Sequence, residues 1–412
     1  MPKSFRSIAP SQTRAPRLAI LGSRGIPARY GGFETFVEEI SKRLVARGAD
    51  VTVFCEKERR ARRLPKRFGR VALEHIPTWA PGPLRSLQYD RASWKQAQKA
   101  RQPFDVVYML GYGSACFFDP PRKRRGPKLW INMDGLEWRR SKWSGLARRW
   151  LAKMEERATK AADLLVFDNE AVREDVLSRW GRGGRFGART DSTVLAYGAP
   201  LAPLVASMEH LAHRGLQPGG YDLVVCRSEP ENHLLEIARA HAASSAKVPL
   251  VVVANTHRGT DYDRRCLALD GENVRFLGTV WDSGELLALR RGARAYLHGH
   301  SVGGTNPSLL EAMVCGAPTI AHDNPFNREV LGADAFWFRT EAELSRRLDE
   351  FEAYPPSRRM EIGRLARKRA IENYDWEEIA DRYFDLLCEA AGVVHPADRA
   401  EARDRLAERR SA

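Results

Sequence analysis

The chain alternates short apolar runs with amphipathic stretches of helical period, and it does so twice. In the first half the runs are Arg17 to Leu21, Val51 to Phe54, Val71 to Ile76, Asp105 to Leu110, Leu129 to Met133 and Leu164 to Phe167. Between the first two lies a helical pattern from Glu34 to Arg47, with Phe36, Val37, Ile40, Leu44 and Val45 on one face and Gly48 as its stop. The second half restarts with Leu223 to Cys226, then a helix from about His233 to Ala242, then Leu250 to Ala254, Val274 to Leu277, Ala295 to Leu297 and Pro318 to Ala321. Apolar runs this short, separated by helices, read as strands of a parallel sheet. Two such units predict an α/β chain of two Rossmann-like domains with a cleft between them. Ligands of such sheets bind beyond the carboxyl ends of the strands.

Residues 1–16 read as a disordered basic arm, without the apolar centre of a secretory signal. The first domain then runs over 17–200 and the second over 201–370. The poorly patterned stretch from Leu201 to Gly220 is the junction. Helical pattern from Glu341 to Ala391 includes a last helix, within 371–395, that can pack back on the first domain. Residues 396–412 form a charged tail.

The sequence Gly303-Gly-Thr-Asn-Pro-Ser-Leu-Leu-Glu-Ala-Met313 joins an apolar run to a helical pattern. Such a turn points unpaired N–H groups at the space above the helix N-terminus, where phosphate oxygens are favoured. Thr305, Asn306 and Ser308 add side-chain donors, and Glu311 can accept from ribose hydroxyls. The loop from Gly22 to Glu34 is a second of this kind. Gly25, Gly31 and Gly32 allow close backbone approach, and Arg24 can meet phosphate.

A net charge of +15 is clustered in the first half. One run extends from Arg59 to Arg70 and another from Arg122 to Lys128. A third, from Arg139 to Arg157, is interleaved with Trp138, Trp143 and Trp150. Solvated surface, nucleic acid and an anionic membrane all fit charge of this kind; the tryptophans favour the membrane for the third run. In that run Leu146, Trp150, Leu151 and Met154 share one helical face. Six scattered cysteines with no Cys-x-x-Cys pair suggest buried thiols in a reducing compartment. No apolar run reaches membrane-spanning length.

Together these motifs resemble family 4 glycosyltransferases of GT-B fold, and more narrowly the rhamnosyltransferase-like branch of bacterial capsule and exopolysaccharide assembly. The resemblance rests on Gly22 to Phe36, Asp134-Gly-Leu-Glu-Trp-Arg-Arg-Ser-Lys-Trp143, Pro230-Glu-Asn232 and Gly303 to Ser308, in that order along the chain. It implies a retaining, metal-independent transfer without a cofactor. The donor would be a nucleotide diphosphate sugar, with rhamnose as a candidate sugar. The acceptor would be a glycan, lipid-linked at the cytoplasmic face of the membrane.

Carried onto this chain, the resemblance makes Arg227 the first diphosphate cation and puts Asn232 where a lysine is usual. It assigns the nucleotide base to the backbone of Gly278, Thr279 and Val280. The donor turn spans Gly303, Gly304, Thr305, Asn306, Ser308 and Glu311. A loop of Arg24, Gly25, Tyr30, Gly31, Gly32, Phe33 and Glu34 would border acceptor and phosphates. Asp134, near the place of a histidine common in the family, is the first catalytic candidate, with Glu137 in reserve. His298 and His300 read as polar cleft residues, not as metal ligands. Two other functions stay open on the residues alone: a sugar-nucleotide epimerase of the same fold, and a nucleic-acid-binding protein using the arginine runs. The latter leaves both glycine-rich loops unused, so no nucleic acid is expected.

Overall fold

The apolar runs form two sheets, which also take in three strands that the runs do not include, 67–68, 191–194 and 336–338. Strands β1 (Arg17–Leu21), β2 (Asp50–Lys57), β3 (Arg67–Phe68), β4 (Val71–Pro77), β5 (Val106–Leu110), β6 (Lys128–Asn132), β7 (Leu164–Phe167) and β8 (Asp191–Val194) make the first, in the order β3-β4-β2-β1-β5-β6-β7-β8. All its pairings are parallel except the short β3–β4 edge. Strands β9 (Asp222–Val225), β10 (Leu250–Val253), β11 (Val274–Gly278), β12 (Ala295–His298), β13 (Thr319–His322) and β14 (Phe336–Phe338) make the second. It is wholly parallel, in the order β11-β10-β9-β12-β13-β14. The computed structural model describes residues 14–28, 31–57, 64–121, 123–133, 135–181, 191–200, 207–257, 259–333 and 335–394.

Helices cover both faces of each sheet, so the central strands are buried along their length, as in Val106 to Leu110. In the first unit these are α1 (Gly32–Ala46), α2 (Pro83–Gln98), α3 (Gly145–Ala161) and α4 (Glu170–Trp180). The second has α5 (Glu209–His213), α6 (Leu234–Ala243), α7 (Asp261–Leu267), α8 (Ser283–Gly292), α9 (Pro307–Val314) and α10 (Pro325–Leu331). Phe36, Val37, Ile40, Leu44 and Val45 of α1 are all buried, which is the face its periodicity marks.

The long C-terminal helical stretch is three helices: α11 (Glu341–Ala353), α12 (Pro356–Asn373) and α13 (Trp376–Ala391). Helix α13 lies on the first unit. Tyr383 and Tyr108 share a hydroxyl contact of 2.9 Å, and Arg43 of α1 and Arg47 at its end pair with Glu377 and Asp381 at 2.8 and 2.6 Å. Trp376 is seated against Gly198, where a Cβ would fall 2.3 Å from the indole. At the other end, Arg14 belongs to the fold and not to the basic arm: both its Nη atoms donate to the Asp105 carboxylate. The rest of the arm, residues 1–13, and the tail beyond 394 lie outside the described residues.

Strand order reverses direction between β1 and β5 in one sheet and between β9 and β12 in the other. Loops leaving neighbouring strands at these points run apart and open a crevice. The four loops are Gly22 to Gly31, Gly111 to Ser114, Cys226 to His233 and Gly299 to Asn306. They hold Arg24, Gly25, Gly31, Arg227, Asn232 and Gly303 to Asn306 of the residues that the sequence singles out.

Candidate active site

A cavity of about 910 Å³ lies between the two sheets. Gly31, Gly32, Phe33, Glu34 and Glu137 line it from one side; Arg227, Thr279, Val280, Gly303, Gly304, Thr305, Asn306, Ser308 and Glu311 line it from the other. The two glycine-rich turns face each other across it: a Cβ on Gly32 would lie 3.9 Å from Pro307. Gly31, at φ 122°, caps α1 in a conformation open to glycine. Helix α9 starts at Pro307, and Asn306 is its cap, its Oδ1 accepting the Ser308 N–H at 2.9 Å.

Several predicted residues do something else. Asn232 is buried away from the cavity lining, and its amide donates to the Arg227 carbonyl at 2.8 Å. It shapes the loop that carries Arg227 and does not stand in for a phosphate-binding cation. Gly278 is outside the lining, and its carbonyl accepts the Ala254 N–H at 3.1 Å. Gly25 packs on Cys55, and the Arg24 N–H donates to Glu34 at 2.9 Å, so these residues brace their own loop. Asp134 and Tyr30 lie outside the described residues. Glu137 is held by Arg140 at 2.6 Å, Lys142 at 2.7 Å and the Trp143 indole N–H at 3.0 Å.

Arg290, which the sequence reading misses, is the cation closest to Glu311. From the end of α8 its guanidinium reaches Glu311 Oε2 at 2.5 Å and Ser308 Oγ at 3.3 Å, with only 7% of the side chain exposed. An arginine in the last turn of a helix ordinarily reads as a dipole-complementing surface residue. Nothing local in the sequence marks it otherwise. Arg227, by contrast, is 47% exposed and 3.9 Å from Glu229, so its guanidinium is available to the cavity.

Arg140 joins Arg227 beside His300. The His300 imidazole is held well below its ordinary range, first by burial and then by the positive field of its neighbours, Arg227 and Arg140 among them. His298 and His300 stack at 4.4 Å and His233 and His322 at 4.5 Å, and of these His300 lines the cavity. Burial pushes His298 down to about 3 and His322 to about 4. Among the described residues no group of three or more His, Cys, Asp or Glu is placed to hold a metal ion. On the other side, Asp90 lines the cavity, and burial raises its carboxyl to about 7 against the opposing Ser114 hydrogen bond.

The units also meet directly. The Thr305 N–H donates to Asp168 Oδ2 at 2.9 Å, and Thr305 Oγ1 donates to the Asp168 carbonyl at 2.5 Å. Thr305 is thus turned towards the first domain, and its donors are not open to a ligand as the sequence suggests. Nearby, Glu329 of α10 accepts the Glu170 and Ala171 N–H groups at the start of α4, at 2.7 and 2.9 Å. Ser141 Oγ donates to Glu231 at 2.5 Å.

The apolar face expected of α3 divides. Leu151 and Met154 enter the core, whereas Leu146 is 79% and Trp150 43% exposed. The arginine-rich run is partly neutralised, with Arg139 on Asp175 at 2.8 Å, while Arg148, Arg149 and Lys153 stay on the exposed face. Among the described residues no helix is long and apolar enough to cross a membrane.

Residues 16–200 match a domain of unknown function, DUF1972, and residues 233–385 match the family described as glycosyl transferase-like. No curated protein matches the chain. Among solved structures, sucrose-phosphate synthase from Thermosynechococcus elongatus superposes with a TM-score of 0.74 at 18% identity, over 91% of this chain and 99% of that one. An α,α-trehalose-phosphate synthase (UDP-forming) from Burkholderia vietnamiensis gives 0.66 at 14% identity, over 91% and 100%. An E. coli structure described as trehalose-6-phosphate bound with UDP-2-fluoro glucose gives 0.67 at 14%, over 92% and 99%. With two parallel-sheet domains that superpose on these enzymes along nearly their whole length, the chain has the GT-B fold of glycosyltransferases, and its second half is glycosyl transferase-like.

Proposed function

We propose that the chain is a retaining glycosyltransferase. It moves a sugar from a nucleotide diphosphate sugar to a hydroxyl of a glycan acceptor. The observation that carries this reading is the cavity itself: the turn from Gly303 to Glu311 faces the Gly31–Gly32 turn across it, with Arg227 and Arg290 on the donor side. The UDP named with two of the similar structures supports a nucleotide-linked donor.

In this reading the nucleotide lies along Thr279 and Val280, the ribose meets Glu311, and the diphosphate meets Arg227 and the backbone at Gly303 and Gly304. The leaving diphosphate gains charge as the glycosidic bond breaks. Fixed donors aimed at it therefore stabilise the transition state more than the ground state. Asp134 is the proposed carboxylate that orients the acceptor hydroxyl. Glu137, already gripped by three donors, holds Arg140 and Lys142 in the cleft. Closure of the two domains keeps water from the donor.

The finer reading is a rhamnosyltransferase-like enzyme of surface polysaccharide synthesis, in the cytoplasm and peripheral to the inner face of the membrane, with a lipid-linked acceptor. Supporting it are Trp143, Trp150 and Leu151 in the cavity wall and Leu146 exposed beside them. These apolar side chains would receive an apolar carrier, with Arg148, Arg149 and Lys153 on the exposed face beside them.

Calorimetry tests the donor site. Arg227→Ala is expected to weaken binding of a nucleoside diphosphate far more than that of the nucleoside. Equal losses for the two ligands would remove Arg227 from the phosphate site.

A further inference from the structure

The anion-favouring turn that opens α9 already faces an anion, and it is the protein's own. Asp168 follows β7 in the first domain, is buried to 1% exposure, and lines the cavity. Its carboxylate accepts the Thr305 N–H, and its carbonyl accepts Thr305 Oγ1. The fit is close: a Cβ on Gly304 would lie 2.0 Å from Asp168 Oδ1. Glycine at 304 is what lets the carboxylate sit against the turn.

Two consequences follow from the charge and position. The turn is pinned at Thr305 and packed at Gly304 by Asp168, with Gly303 beside Gly135, so both glycines line the cavity in a fixed position. The Asp168 carboxylate also stands at the wall where the diphosphate of a donor would lie. A nucleotide sugar carries its diphosphate as a diester. The nucleoside diphosphate left after transfer bears a further ionisable oxygen on its terminal phosphate. A carboxylate in a partly desolvated cleft repels the second more than the first.

We propose that Asp168 is a positioning residue that pins the donor turn and makes the cleft favour nucleotide sugar over the nucleoside diphosphate product, so that product leaves after transfer. This rests on the donor reading above.

Glu329 supplies the control. It makes the reciprocal contact, a carboxylate of the second domain on the N-terminus of α4, but it is not part of the cavity wall. If domain closure alone mattered, both carboxylates would act alike.

The test measures binding of UDP, GDP and dTDP and of their glucose conjugates by calorimetry. The proteins are the full chain, Asp168→Asn, Asp168→Ser and Glu329→Gln. Asn can still accept the Thr305 N–H without the charge, and Ser serves if Asn does not fold. Loss of the Asp168 charge is expected to tighten the diphosphate by roughly tenfold relative to its sugar conjugate. Glu329→Gln is expected to leave that ratio at the wild-type value. A ratio unchanged in both Asp168 variants overturns the inference while leaving the donor site standing. A ratio that shifts equally in Glu329→Gln also overturns it, in favour of closure. Failure of every probe to bind the wild-type chain takes down the donor reading and the inference together.

Discussion

Replacing Arg290 by methionine isolates the contact that holds Glu311. Methionine keeps most of the apolar volume of the arginine stem and removes the guanidinium. What is lost is one charge-assisted bond at 2.5 Å to Glu311 and one contact at 3.3 Å to Ser308. Hydrogen bonds to charged groups contribute about 1.5–3 kcal/mol. Glu311 is 35% exposed, so water replaces part of the interaction and the lower figure applies. If the freed Glu311 loses up to that much of its bond to ribose, donor kcat/KM falls by up to roughly tenfold, borne mainly by KM if Glu311 binds ribose equally in ground and transition states. Stability should change little, since an apolar group replaces a buried cation. Glu311→Gln is the counterpart. It leaves the Arg290 guanidinium buried without its counter-charge and should lower the urea midpoint as well as donor binding. Steady-state kinetics over a donor titration, with urea melts of both variants, decide the matter. A donor KM in Arg290→Met within about twofold of wild type, with kcat unchanged, would refute the assignment of Glu311 and its arginine to the donor site.

Gly198→Ala places a Cβ 2.3 Å from the Trp376 ring and should cost about 1–3 kcal/mol, read as a lower urea midpoint, because α13 must shift off the first domain. His298, pushed down to about 3 by burial, and His322, pushed down to about 4, bind fewer protons folded than unfolded. Stability should therefore fall as pH drops from 6.5, the ordinary imidazole value, towards these values; urea midpoints for wild type and His298→Phe should show a shallower fall in the variant. The wild-type chain should sediment with anionic liposomes at low salt and be released at high salt, with Arg148, Arg149 and Lys153 neutralised together reducing the effect; no sedimentation at low salt would make this face ordinary solvated surface.

The main strands of both sheets were legible because period and run length are local, whereas β3, β8 and β14, short and weakly apolar or short and flanked by polar turns, were not. Val106 to Leu110 is short and apolar throughout, which favours a strand buried on both faces, and the Gly303 to Glu311 stretch has the glycines and the Pro of a turn entering a helix. The loops at the strand ends were legible for the same reason. What escaped depends on partners distant in sequence. Arg290 has the ordinary signature of a helix end, and only the fold brings it to Ser308 and Glu311. Asp168 reads as a turn residue before the capping Asn169; its partner Thr305 lies 137 positions away. Asn232 was placed by its spacing from Arg227, but spacing does not reveal that its amide turns back onto the Arg227 carbonyl. The division of the α3 face, Leu151 and Met154 inward and Leu146 and Trp150 outward, follows from how that helix lies on the sheet.

The central claim is sugar transfer in the cleft. Its most direct measurement is a transfer reaction with a panel of nucleotide sugars and a membrane glycolipid extract, followed by release of nucleoside diphosphate and by NMR of the new anomeric centre. Diphosphate release should depend on acceptor, the product should keep the donor's anomeric configuration, and Arg227→Ala should lose both. A product of inverted configuration, or acceptor-independent conversion of the donor to an epimer, would contradict the claim.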